Sequence, residues 1–204
     1  MEIAQNEKRR RVHDTVSKAA IKVFAARGFD QTTVEEIAQA TGISRRTFFR
    51  YFASKDDLLA QTAVSYGAAL QSAIESCPAE MSPFEVIRST VRAGVDHAAA
   101  PGAQTRQVVE IAIRSASARQ AYQSRTGSIE DSLANAFAAR ATDTSVVYAS
   151  SRMLAGITLA VMNATIASWF SGEHQDLPSA ANQVLQLLAT TIKGNSHKRI
   201  SKRN

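Results

Sequence analysis

A single cysteine, Cys77, stands in this chain of 204 residues, so no internal disulfide can form. That usage fits a reducing cytoplasm. Proline is nearly as scarce. Pro78, Pro83, Pro101 and Pro178 all fall where a helical pattern has just stopped or is about to start, the places helices tolerate them. Alternating, β-branched-rich runs bounded by turns are missing, and with them any reason to expect a strand. Also lacking are a Gly-rich phosphate loop, a nucleophile-elbow pattern and a His, Cys and carboxylate cluster at metal-ligand spacing. Neither an enzyme nor a cofactor or metal is therefore expected, although catalytic groups can be scattered. Met1 to Gln5 carry no basic region leading into an apolar stretch, so no secretory signal is expected.

What is present is uneven charge on a chain apolar enough to fold, with 45% hydrophobic residues. Residues 1–55 hold 11 Lys and Arg against 6 Asp and Glu. Residues 56–192 hold 8 Arg, no Lys and 12 acidic residues, and residues 193–204 hold 5 basic and no acidic ones. Two cationic ends on an acidic body suit a polyanion met by one part of the molecule. A merely solvated basic surface gives the same pattern, and charge alone does not choose between them.

The periodicity predicts an all-α fold of about nine helices. Val12, Val16, Ala19, Ala20, Val23 and Phe24 form one apolar stripe over about Lys8–Arg27, with Gly28 as a left-handed cap and Phe29 folding back. Thr33-Val34-Glu35-Glu36 has the capping-box pattern and opens a short helix, Val34 to about Ala40. Thr41-Gly42-Ile43 is a tight turn in which Gly42 supplies positive φ. Ser44 caps a third helix, about Arg45–Phe52, and Ser54 a fourth carrying Leu58, Leu59, Thr62, Tyr66, Ala69, Leu70 and Ile74. Further helices are expected near 83–99, 104–118, 119–140, 145–170 and 178–193.

A short helix, a glycine turn and a second short helix make a helix-turn-helix, about residues 33–52. Ile43, Phe48 and Phe52 can point inward while Arg45, Arg46, Thr47, Phe49 and Arg50 stand outside. Arginine can bond O6 and N7 of guanine together, so this helix could read base edges in a major groove. Tyr51 and Lys55 at its far end could hold phosphates. Lys8-Arg9-Arg10-Arg11 could clamp phosphate or the minor groove, or be solvated.

These residues resemble a known family. Thr32-Thr33-Val34-Glu35-Glu36-Ile37-Ala38, Thr41-Gly42-Ile43-Ser44, Thr47-Phe48-Phe49-Arg50-Tyr51-Phe52 and Ser54-Lys55-Asp56-Asp57-Leu58 are similar to the tetracycline-repressor (TetR) family. The resemblance covers about residues 9–69. It implies an N-terminal three-helix DNA-binding domain over 1–55, a larger helical ligand-sensing and dimerisation domain over 56–194 and a basic flexible tail over 195–204. By position it places Thr33, Arg45, Arg46, Thr47, Phe49, Arg50, Tyr51 and Lys55 at DNA. One departure and one oddity stand out. Phe49 replaces the family's usual tyrosine, losing a hydroxyl bond but able to pack on a thymine methyl or sugar. Glu35 is acidic near the expected DNA face, where it serves the helix N-terminus.

Met153 to Gly172 holds no charge over 20 residues, near the length of a membrane span. Thr158, Asn163, Thr165, Ser168, six Ala or Gly and the lack of a nearby basic cluster favour a buried soluble helix. Leu154, Ile157, Val161 and Thr165 mark one apolar face, and Leu159, Met162, Ile166 and Phe170 another, so two burials are expected. Val184, Leu185, Leu187, Leu188 and Ile192 repeat the feature in the last helix. A homodimer through the last two helices is the economical partner, and it suits a palindromic operator in double-stranded DNA. From the resemblance, an unidentified small-molecule effector is expected, with Tyr66, Phe84, His97, Val109, Ile113, Tyr122, Met153 and Trp169 as candidate lining residues. Each also packs as ordinary core. The expected function is a cytoplasmic, nucleoid-associated repressor released from its operator by the effector. An activator and a nonspecific architectural DNA-binding protein are the alternatives.

Overall fold

The computed structural model describes residues 2–100, 104–141 and 147–197, with side chains described from Val12 to Ile192. The described residues are all-α, in ten helices: α1 Glu2–Arg27, α2 Val34–Thr41, α3 Arg45–Tyr51, α4 Lys55–Glu75, α5 Pro83–Ala99, α6 Thr105–Arg114, α7 Ala116–Gln123, α8 Thr126–Ala138, α9 Val147–Phe170 and α10 Leu177–His197. Three boundaries differ from expectation. The first helix starts at Glu2 rather than near Lys8, because the Glu, Ala and Gln residues before the basic run are good helix formers. The last helix continues to His197. Residues 198–204 of the expected tail lie outside the described residues. The third difference is at 104–140, where three helices replace two. Ser115 takes extended backbone (φ −133°, ψ 124°), closing α6 and capping α7 with a hydroxyl that accepts from Ala118 N. At the end of α7, Ser124 donates its hydroxyl to Ala121 O at 2.7 Å.

The helices gather into two compact units. One holds α1 to α3, α4 as far as Tyr66, α6, α7 and the start of α8. The other holds the rest of α4 and α8 with α5, α9 and α10. In the first, Val16, Ala20, Ile21 and Phe24 of α1 pack with Ile37, Phe48, Phe52, Leu58 and Leu59. Val108 and Ile111 of α6 and Ala118 and Ala121 of α7 join the same core. Each large apolar side chain so buried contributes about 1.5–3 kcal/mol. Polar ties hold α6 and α7 in place. Gln104 Nε2 donates to Lys18 O at 2.9 Å, Ser117 Oγ donates to the Asp30 carboxylate, and Arg125 pairs with Asp57 at 3.2 Å. The Ser117 hydroxyl, and after it that of Ser115, holds Asp30 below its ordinary carboxylate range.

In the second unit α5, α9 and α10 pack on one another. Ser82 and Glu85 form a capping box ahead of Pro83, and α5 buries Val86, Ile87, Thr90, Val91 and Val95. Arg140 donates to Cys77 O at 2.6 Å and to Pro78 O, two carbonyls just past the end of α4. Arg152 on α9 holds Asp131 at 2.7 Å and Glu130 at 3.3 Å. By length and composition α9 could cross a membrane, with a mean hydropathy of 1.5 over its most apolar stretch. Here it buries Ser151, Ala155, Thr158, Val161, Met162 and Thr165. Of the two expected apolar faces, Leu154, Ile157, Leu159, Ile166 and Phe170 are only half-buried, and outside those faces Tyr148 and Met153 are exposed.

Candidate DNA interface

Short-range hydrogen bonds preset the α2–turn–α3 segment. The Thr33 hydroxyl accepts from Glu36 N at 3.3 Å, and the Glu36 carboxylate accepts from Thr33 N at 2.9 Å, the reciprocal pair of a capping box. That backbone N–H, with the paired Arg27 guanidinium behind it, holds Glu36 below the usual carboxylate range. Gly42 lies at φ 67°, the left-handed region, and its N–H turns back to the carbonyls of Ala38 and Gln39. Ile43 N donates to Ala38 O at 3.0 Å, and its side chain packs half-buried on the core. Ser44 accepts from Thr47 N at 3.1 Å and starts α3. Asp57 N donates to the Ser54 hydroxyl at 3.0 Å and starts α4.

The two faces of α3 are as the spacing predicts. Phe48 and the capping Phe52 are buried, with ring centroids 5.3 Å apart. Arg45, Arg46, Phe49 and Arg50 are exposed, and Thr47 and Tyr51 are half-buried. The three arginines stand in different surroundings. Arg45 Nη1 pairs with Glu35 Oε1 at 3.0 Å, and its guanidinium lies 5.4 Å from the centre of the Phe49 ring. Arg50 stacks 5.0 Å from the Tyr51 ring and donates to its hydroxyl at 3.3 Å. Arg46 is exposed at the start of the same helix. Thr47 Oγ1 bonds Ser44 Oγ at 2.9 Å, and Thr33 is exposed with its hydroxyl on the cap.

Two residues have partners that the sequence did not signal. Lys55 does not stand free for phosphate. Its Nζ donates to the carbonyls of Phe29 at 2.7 Å and of Asp30 and Thr32 at 3.0 Å, and lies 4.8 Å from the Phe29 ring. An ammonium has three protons, and all three have acceptors in the α1–α2 turn. Glu35 lies in the first turn of α2 as expected, and it also makes the ion pair to Arg45, which sequence spacing did not signal. The Lys8–Arg11 side chains lie outside the described residues.

The candidate effector residues divide between the units. In the first, Tyr66 and Tyr122 are largely buried, which pushes both phenols up. Val109 is half-buried and Ile113 exposed. In the second, Phe84 and Trp169 are half-buried, while His97 and Met153 are exposed. A groove of about 580 Å³ in the first unit has Asp56, Asp57, Gln120 and Arg125 among its lining and none of the expected residues.

The chain matches the family model of bacterial regulatory proteins of the tetR family over residues 17–62, and that of the MftR C-terminal domain over residues 81–193. It is 31% identical over 147 residues to the HTH-type transcriptional regulator TcmR of Streptomyces glaucescens. That match covers 67% of this chain and 63% of TcmR, less than two thirds of the relative's length. Among solved structures, a TetR-like transcriptional regulator from Rhodococcus sp. RHA1 superposes with a TM-score of 0.56 at 22% identity, covering 90% of this chain and 96% of that one. The regulator FadR of Bacillus subtilis, in complex with stearoyl-CoA, superposes with a TM-score of 0.58 at 19% identity over 85% and 96%. These two likenesses speak for the fold. With family models matched over both the helix-turn-helix and more than half of the chain beyond it, this chain belongs to the TetR family of bacterial regulatory proteins.

Proposed function

We propose that the chain is a ligand-responsive, sequence-specific DNA-binding regulator, a repressor released from a palindromic operator by a small molecule. The observation that carries this reading is α3. Its inner face is locked by Phe48, and its start is fixed by Gly42 and Ser44, while three arginines point away from the core. Such a helix can enter a major groove with its N-terminal side chains against base edges. Arg45 and Arg46 read bases, and Thr33, Thr47, Arg50 and Tyr51 position the backbone. Phe49 takes an apolar contact, and Lys55 supports the turn from within.

In this reading residues 1–55 grip DNA and residues 56–194 sense and dimerise. The homodimer forms through α9 and α10, whose exposed Tyr148, Met153, Leu187 and Ile192 give each copy apolar surface to bury. The effector is a small, largely apolar molecule met by some of Tyr66, Phe84, His97, Val109, Ile113, Tyr122, Met153 and Trp169. FadR of Bacillus subtilis, of the same fold, was solved with stearoyl-CoA, of which only the stearoyl chain is apolar. Its binding favours a conformation whose paired heads no longer fit DNA, a population shift by differential affinity. The protein works in the cytoplasm, where its DNA lies.

Footprinting on duplexes selected from a random library tests the reading. One short palindrome should be protected, and Arg45→Ala should weaken it by about 1–3 kcal/mol while relaxing one base position. Operator binding that survives removal of both Arg45 and Arg46 would refute the assignment of the reading helix.

A further inference from the structure

We propose that Glu35 is a specificity-determining residue: it and Arg45 read a G·C step as one unit. This rests on α3 being the reading helix.

Glu35 and Glu36 are neighbours with different tasks. Glu36 closes the capping box on Thr33 and pairs with Arg27, so the start of α2 already has its carboxylate. Glu35 makes no bond to the cap. Its Oε1 instead reaches across the turn to Arg45 Nη1, 3.0 Å away. Both side chains are open to solvent, 57% exposed for Glu35 and 66% for Arg45, and an exposed ion pair adds little to stability. Its consequence lies in geometry and charge. Arg45 is held from a second side by Phe49, at 5.4 Å, whose ring meets Phe48 at 90° with centroids 5.5 Å apart. Phe48 is fully buried. A ladder therefore runs from the core through two rings to the guanidinium and ends at the Glu35 carboxylate. The tyrosine-to-phenylalanine departure at position 49 fits this role, because the ring serves as a platform and needs no hydroxyl.

A flexible arginine loses side-chain freedom when it docks on a base, and one already held in place loses less. The carboxylate beside it discriminates. Phosphates repel it everywhere along a duplex, which weakens nonspecific binding. It recovers an interaction only where a base edge offers a donor, which in the major groove is adenine N6 or cytosine N4, and beside a guanine held by Arg45 the paired cytosine supplies it. With Oε1 on Arg45, Oε2 is the oxygen placed to accept. The chemistry recognised is thus guanine O6 and N7 by Arg45 beside cytosine N4 by Glu35. The cost is lower affinity in exchange for a higher ratio of specific to nonspecific binding.

The test uses the full chain, a duplex that the wild type selects from a random library, and a scrambled duplex of the same composition. Glu35→Gln keeps shape and leaves the Glu36 capping box in place. It should bind the scrambled duplex about 3–10-fold tighter and the selected duplex no tighter, so the specificity ratio falls by a similar factor. Reselection with the variant should relax preference at one G·C step. In an Arg45→Ala background the effect of Glu35→Gln on that preference should vanish, as a double-mutant cycle requires of a coupled pair. A ratio within about twofold of wild type would overturn the proposal, as would an undiminished effect in the Arg45→Ala background. If the wild type itself selects no sequence, the regulator reading fails first and the proposal with it.

Discussion

Lys55 offers the sharpest contrast between a phosphate ligand and a structural clamp. The family pattern puts it at DNA, yet its ammonium meets three carbonyls of the α1–α2 turn. Substituting methionine keeps the aliphatic stem and removes the donor. Hydrogen bonds to a charged group are worth about 1.5–3 kcal/mol each, and the bonds nearest water count for least. The Asp30 bond is exposed and those to Phe29 and Thr32 are part-buried, so the loss should total about 3 kcal/mol. For a chain of this length that lowers Tm by roughly 6–12 °C. Lys55→Arg separates the two roles. It retains a cation for phosphate, but its bulkier planar group does not fit where one ammonium nitrogen meets the carbonyls of Phe29, Asp30 and Thr32, so it should destabilise nearly as much as methionine. The assay is a thermal melt followed by circular dichroism, alongside duplex binding at several salt concentrations. An unchanged Tm in Lys55→Met, with uniformly weaker binding and a salt slope reduced by about 1, would refute the clamp.

Gly42→Ala should cost about 1–2 kcal/mol in urea unfolding through the left-handed backbone alone, since nothing lies within 4 Å of the added carbon. Gly42→Asn should cost less, and equal losses would refute the conformational account. Phe48→Ala should cost about 3–5 kcal/mol in the same experiment and abolish duplex binding, because the ring is fully buried beneath the proposed reading face. Asp30 and Glu36 both titrate below their ordinary values when folded. Their contribution is therefore complete above about pH 4–5 and is lost as pH falls through the folded values. Asp30→Asn keeps an acceptor for Ser117 and removes the titration, so the acid limb of Tm against pH should flatten, and an unchanged limb would count against the Ser117 bond. Leu187→Glu, at a site 57% exposed on α10, should convert the proposed dimer to monomer in sedimentation without lowering helicity. A dimer that survives would move the interface elsewhere.

The parts of the head that were legible in the sequence are those whose causes lie within a few residues. Thr33 and Glu36 are three apart, as are Ser44 and Thr47 and also Ser54 and Asp57, and each pair closes a bond that fixes where a helix begins. Gly28 and Gly42 announce their turns because few other residues accept those dihedrals. The inward phenylalanines follow from helical spacing. The break at Ser115 did not show, because a serine among alanines is compatible with a continuing helix and stops one only when its hydroxyl finds Ala118 N. The apolar stripe read from spacing includes Val23, which is half-buried, and not Ile21, which is buried. Neighbouring apolar residues on one helix cannot be ranked until the packing partner is known.

Charged side chains were hardest to place, and for one reason. A motif states where a charge stands along the chain, while its task depends on what folding brings within about 3 Å of its tip. Lys55 finds carbonyls 23 to 26 residues earlier, Arg140 finds Cys77 O across 63 residues, and Asp30 finds Ser117 across 87. None of those partners has a signature, because a backbone carbonyl belongs to every residue and serine is common. The same reasoning sets the limits of family transfer. Position places the arginines of α3 on an exposed face, which follows from helical spacing alone. It does not reveal the three carbonyls that Lys55 meets, nor the Glu35–Arg45 pair, which exists only because the turn at Gly42 brings the start of one helix beside the start of the next. At a DNA-reading face, then, the residues worth substituting first are those whose partner lies across a turn, since local rules leave them undetermined and the fold has given them a task.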